Sequence, residues 1–175
     1  MMMKTALVAA ATILLPPAVA QAQDAPATAR MLDAEGQSAG TVTFSETKAG
    51  LLHVFVEIAG AKPGAHGFHV HQTGKCDAAD GFKSAGGHLA GGRDHGVHVE
   101  GGPHAGDFPN VHAGQDGVIK AEFFTDRLTL SDGENGLMDQ DGSAVVLHSG
   151  PDDYTSQPSG DSGDRIACGV VEQPG

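Results

Sequence analysis

Apolar and polar positions alternate along much of the chain. Val42 and Phe44 alternate with Thr41, Thr43 and Ser45, and Leu52, Val54, Val56 and Ile58 share one parity against His53 and Glu57. Ile119, Ala121 and Phe123 alternate with Lys120 and Glu122, Val145 and Leu147 frame Val146, and Ile166 to Val171 forms a last short run. A period of two puts every second side chain on one face, so these segments predict antiparallel strands with one buried side. Gly-rich or acidic turns separate them, and no stretch reads as an amphipathic helix. The expected class is all-β, a sandwich or small barrel. Gln72 to Asn110 and Ser149 to Arg165 break the rhythm. Structureless stretches of that length inside a domain are usually functional loops.

Composition narrows the class further. The 175 residues carry ten Lys plus Arg against 22 Asp plus Glu, for a net charge of −12. A face for phosphate binding needs basic residues, so nucleic acid is not an expected partner. With one Tyr and no Trp, stacking platforms for bases are also missing. The start has its own pattern: a basic Met1 to Lys4, an apolar Ala6 to Leu15, then Ala18-Val19-Ala20 or Ala20-Gln21-Ala22. That is the three-part form of a secretory signal peptide, and the apolar run is too short to span a bilayer. Residues 1–22 are therefore expected to be cleaved, leaving 23–175 as one exported domain without a membrane anchor. The periplasm is the expected location.

Leu, Ile, Val and Phe make up only about 20% of that domain, which with its charge lies near the composition edge of disorder. Something besides the core should hold it together. Cys76 and Cys168 are the only cysteines. An even count in an exported chain reads as a disulfide, and the loop of about 92 residues that it closes is worth roughly 4–5 kcal/mol.

Metal is the other source of cohesion. In His66-Gly67-Phe68-His69-Val70-His71, strand parity projects His69 and His71 to one side while Phe68 and Val70 face the core. His66 has the opposite parity and reads as a hydrogen-bonded structural residue. His148 ends a strand on the side away from Val145 and Leu147 and could add a third imidazole. Imidazole suits copper, zinc and iron alike. A second cluster lies in the first long stretch, His88-x6-His95-x8-His104-x2-Asp107. Three imidazoles and a carboxylate form a closed four-coordinate set of the kind structural zinc takes.

Gly64-Ala65-His66-Gly67-Phe68-His69-Val70-His71 resembles the copper-binding signature of the copper/zinc superoxide dismutases, and Gly163-Asp164-Arg165-Ile166-Ala167-Cys168-Gly169-Val170-Val171 is similar to their C-terminal signature. Ser84-Ala85-Gly86-Gly87-His88, Gly102-Pro103-His104-Ala105-Gly106-Asp107 and Val145-Val146-Leu147-His148 fall between them in family order. Gly74-Lys75-Cys76 and Asp152-Asp153-Tyr154 resemble the bacterial periplasmic branch.

The resemblance implies an eight-stranded antiparallel Greek-key barrel with two long functional loops. It also implies dismutation of superoxide to oxygen and hydrogen peroxide, with one copper and one zinc ion per subunit. His69, His71, His88 and His148 would bind copper; His88, His95, His104 and Asp107 would bind zinc, with His88 shared. Asp152 would link a copper histidine to a zinc histidine, Arg165 would guide the anion, and Cys76 and Cys168 would form the intrasubunit disulfide. Relatives include monomers and homodimers.

One segment departs from the common family pattern: Leu89-Ala90-Gly91-Gly92 follows His88, where an aromatic and an Asn/Asp-Pro pair are frequent. The next zinc ligand lies between His95 and His98; Arg93-Asp94-His95-Gly96 matches the family's basic-residue–His-Gly step and favours His95. His53 and His112 have no expected metal role. A chain near −12 should repel an anion, so local positive potential is required. Lys75 and Lys83 beside the same loop are the candidate contributors.

Overall fold

Residues Leu52–Ile58 form strand β3, and their burial alternates without exception, Leu52, Val54, Val56 and Ile58 inward. The computed structural model describes residues 25–173, apart from positions 132 and 134. The expected signal peptide, 1–22, lies outside the described residues. Around β3 run β1 (Ala27–Asp33), β2 (Ser38–Glu46), β4 (Gly64–His66), β5 (Phe68–His71), β6 (Val111–Ala113), β7 (Ile119–Thr125), β8 (Ala144–His148) and β9 (Arg165–Glu172). Helix among the described residues is limited to two three-residue 3-10 turns, Ala78–Asp80 and Lys83–Ala85.

All ladders are antiparallel. Seven strands form one sheet in the order β5-β8-β9-β1-β2-β3-β7, and β4 pairs with β6. The chain leaves β3, passes through β4 to β5 at the far edge, and returns through β6 to β7 beside β3. That crossover is the Greek key. The nine segments match the expected eight strands once β4 and β5 are counted as one strand broken at Gly67. No side chain fits at the break, since a Cβ on Gly67 would lie 2.8 Å from the Ser162 Cβ. The sheet curls because its edges share one aromatic cluster. Phe68 on β5 lies 5.7 Å from Phe108 and 6.2 Å from Phe123 of β7, ring centre to ring centre.

Inside the curl, Ala29, Met31, Val42, Phe44, Val70 and Leu147 belong to one continuous core. Each large apolar side chain so buried contributes about 1.5–3 kcal/mol. A second, smaller core sits outside the sheet, where Phe82 and Ala85 pack on Ala144, Val146 and Cys168. Cys76 and Cys168 are bonded there across a separation of 92 residues, with Cα atoms 5.6 Å apart. The disulfide thus pins the start of the first long loop to β9. All five residues of β8 are buried, because loops cover the face opposite the main core.

Candidate metal centre

Strand β5 does what its parity predicts. Phe68 and Val70 enter the core, and His69 and His71 point to the other side, where the long loops bury them completely. An isolated bridge between His71 and His88 brings the first loop alongside. His148 ends β8 next to them. One ligand atom from each of His69, His71, His88 and His148 lies within 4.8 Å of the others. The outer ring nitrogens are occupied: His71 Nδ1 donates to the Gly86 carbonyl (3.0 Å), His148 Nδ1 to that of Gly163 (3.4 Å), and His69 Nε2 to Asp152 Oδ2 (2.7 Å). His69 Nδ1 and the Nε2 atoms of His71, His88 and His148 are buried without a partner. Buried polar atoms are almost always paired. Four orphans on converging imidazoles, each ring oriented from behind, fit a transition metal.

Burial, with the other histidines and Arg165 nearby, pushes the His71 pKa well below its ordinary value. Burial likewise lowers His148 to about 3, with His69 adding to the effect. His88 falls to about 4, burial again outweighing the hydrogen bond to Asp107. Such rings are neutral at physiological pH, the form that binds metal.

The second cluster, His88, His95, His104 and Asp107, is also buried, and its ligand atoms likewise lie within 4.8 Å of one another. Asp107 Oδ1 lies 3.0 Å from His88 Nδ1 and 3.2 Å from His104 Nδ1, and those two nitrogens are 3.4 Å apart. Four ligands at zinc distances of about 2.0–2.1 Å in a tetrahedron sit about 3.3–3.4 Å from one another, so this spacing suits the ion. The other oxygen, Oδ2, accepts from the backbone N–H groups of Gly96 and His104, each at 3.0 Å, which fixes the carboxylate. Burial works to raise the Asp107 pKa, but the bonds from His104, His88 and Gly96 prevail and hold it far below the carboxylate range. His88 belongs to both clusters, Nδ1 toward one and Nε2 toward the other. Asp152 joins them from behind, Oδ2 on His69 and Oδ1 on His95 Nε2 at 3.1 Å.

Arg165 begins β9 at the rim of the first cluster. Its guanidinium donates to the carbonyls of Phe82 (2.6 Å) and Gly86 (2.7 Å), both in the disulfide-anchored loop. Burial lowers its pKa while Asp80 works to raise it. Lys75 and Lys83 are exposed on that loop, together with Asp77 and Asp80. The loop is therefore locally near neutral in an acidic chain.

The remaining histidines stand apart. His66 is held by two carbonyls, those of His148 and Lys62, each at 2.7 Å from a ring nitrogen. His98 is exposed beside Tyr154, outside the second cluster. His53 stacks on Phe124 at 4.7 Å, and His112 is exposed on β6. Phe82 and the carbonyls of Gly86 and Gly163 take part in the site without a sequence signal. Backbone acceptors carry none, and Phe82 reads as an ordinary loop aromatic.

Residues 38–171 match the family described as copper/zinc superoxide dismutase (SODC). The chain is 41% identical to the copper–zinc superoxide dismutase 2 of Aquifex aeolicus over 85% of its own length and 88% of that protein. Among solved structures, it is similar to a SOD-like protein from Bacillus subtilis, with TM-score 0.78, 33% identity, and 83% and 97% of the two chains covered. It is also similar to the Cu/Zn superoxide dismutase of Brucella abortus, with TM-score 0.67, 33% identity, and 84% and 99% covered. The fold, the two histidine clusters and these matches agree, and the chain belongs to the copper/zinc superoxide dismutase family.

Proposed function

We propose that the chain converts superoxide to oxygen and hydrogen peroxide outside the cytoplasm. It would hold one copper at His69, His71, His88 and His148, and one zinc at His88, His95, His104 and Asp107. The observation that carries this reading is the single ring of His88 facing both clusters, with its Nε2 buried and unpartnered. A storage site for either ion has no need of a shared imidazole. A hydrolytic zinc enzyme needs an open coordination position, whereas four side chains here close the second cluster.

Copper, when bound, supplies a one-electron couple that oxidises one superoxide and reduces the next, and zinc supplies fixed charge without redox chemistry. The protein residues provide the rest. Arg165 offers a permanent charge and paired donors to a small anion at the rim. The Phe82 and Gly86 carbonyls keep that guanidinium from swinging into solvent. His88 can hold a proton at Nε2 beside the place where peroxide forms and release it there. Asp152 fixes the tautomer of His69 and His95 by accepting from both Nε2 atoms, which leaves each Nδ1 free for a ligand bond. Burial lets its own pKa rise, but the hydrogen bonds from His69, the Tyr154 N–H and His95 outweigh that and keep it ionised.

Export is supported by the formed disulfide, which persists in oxidising compartments. Among the described residues, no helix is long and apolar enough to cross a membrane. The test is superoxide dismutation by the purified mature protein, with metal content measured on the same sample and a chelated, copper-reconstituted control. Copper-dependent turnover near the diffusion range, about 10⁸–10⁹ M⁻¹s⁻¹, is the expected result. Bound copper without turnover would overturn the reading and favour a metal buffer.

A further inference from the structure

His95 and Asp152 lie in the two long loops, and neither has a strand partner for its backbone. The side chain of Gln157 fills both roles for His95. Its Oε1 accepts from the His95 N–H (3.0 Å), and its Nε2 donates to the His95 carbonyl (2.8 Å). Asn110 does the same for Asp152: Oδ1 accepts from the Asp152 N–H (2.8 Å), and Nδ2 donates to the Asp152 carbonyl (2.9 Å). Each clasp runs from one loop to the other, in opposite directions. The two clasped residues meet through His95 Nε2 and Asp152 Oδ1 at 3.1 Å.

A buried backbone group without a partner costs about as much as a lost hydrogen bond. Only a primary amide supplies one donor and one acceptor side by side, so neither a carboxylate nor an aliphatic side chain reproduces the clasp. We propose that Gln157 and Asn110 are positioning residues that hold His95 and Asp152 in their metal-binding arrangement before the ion arrives, and so set the affinity of the second cluster for zinc. The inference rests on the zinc reading given above. Without the clasps, ordering both loops becomes part of the cost of binding.

Because both clasps act on one contact, removing them together costs less than the product of the single losses. The test uses the full, disulfide-intact chain with the first cluster filled by Cu(I), the second empty and zinc as the probe, in competition with a chelating dye, because four imidazoles would otherwise take zinc as well. In Gln157→Leu and Asn110→Leu, zinc affinity falls by roughly 10–100-fold each, the range for loss of a ligand's supporting partner. Gln157→Glu keeps the acceptor and falls by less. The visible spectrum of cobalt bound in the same cluster changes in the variants, a readout that a general loss of stability does not move. Gln157 is exposed, so its variants serve if Asn110→Leu fails to fold.

Gln157 variants that bind zinc within about two-fold of wild type, while His95→Ala abolishes binding, would overturn the clasp and leave the zinc reading standing. Wild type and His95→Ala binding zinc alike would overturn both.

Discussion

His148 stands directly opposite Arg165 on the β8–β9 ladder, one step past a register shift at Leu147/His148. Leu147 pairs with Ala167, so Ile166 is skipped. Irregularities of this kind re-aim side chains at functional sites. Here a cluster imidazole and the guanidinium at its rim are set by the same two strands. Replacing Arg165 with Gln should leave copper content unchanged and lower the second-order rate roughly ten-fold or more, with a weaker dependence on ionic strength. Rate measurements across a salt series check it. An unchanged slope would remove Arg165 from anion capture.

The lysines of the same loop make a smaller, separable contribution. Lys75→Gln with Lys83→Gln should lower the rate by a factor of about two to five, again most at low salt, without altering the copper spectrum. Asp77 and Asp80 on the same loop oppose them, so their removal should act in the other direction. If the double lysine variant matches wild type at low salt, steering does not come from this loop.

Removing the disulfide should affect both stability and rate. Cys76→Ser with Cys168→Ser is expected to cost about 2–5 kcal/mol of unfolding free energy. It also frees the segment whose Phe82 and Gly86 carbonyls hold Arg165. Activity per bound copper should therefore fall in protein that is still folded. Denaturant titrations paired with rate assays separate the two effects, and a fall in stability alone would show the loop to be held by the Phe82 core.

Acid should loosen the metal-free protein. His88 and His148 have pKa values lowered to about 4 and about 3, chiefly by burial, against about 6.5 in an unfolded chain. As pH falls below about 6.5, the unfolded state takes up protons that the folded state refuses, so stability declines until the folded values are passed. Above about 6.5 these residues contribute no slope. Unfolding titrations of metal-free protein between pH 7.5 and 4.5 test this. A flat profile would mean that the two rings titrate normally.

Much of the strand framework is legible in the sequence alone. β3 declares itself because large apolar residues alternate with polar ones through its whole length. β1 shows no such pattern, since its inward positions include Ala27 and Ala29, which carry little periodic signal. β6 is not legible either, because three residues, Val111–Ala113, are too few to show a period. The projection of His69 and His71 away from Phe68 and Val70 followed from parity alone.

By itself, the sequence determined which residues could do the chemistry: the histidine pair on β5, the histidine-rich stretch after it, the lone cysteine pair and Arg165. It also determined that strands would carry them, because a period of two is a property of neighbouring residues. Tertiary structure decided what those residues do together. It placed His95 inside and His98 outside, turned His88 toward both clusters, and set the Gln157 and Asn110 amides on partners in the other loop. Those outcomes depend on contacts between positions dozens of residues apart in irregular segments. No local periodicity reports where such segments cross.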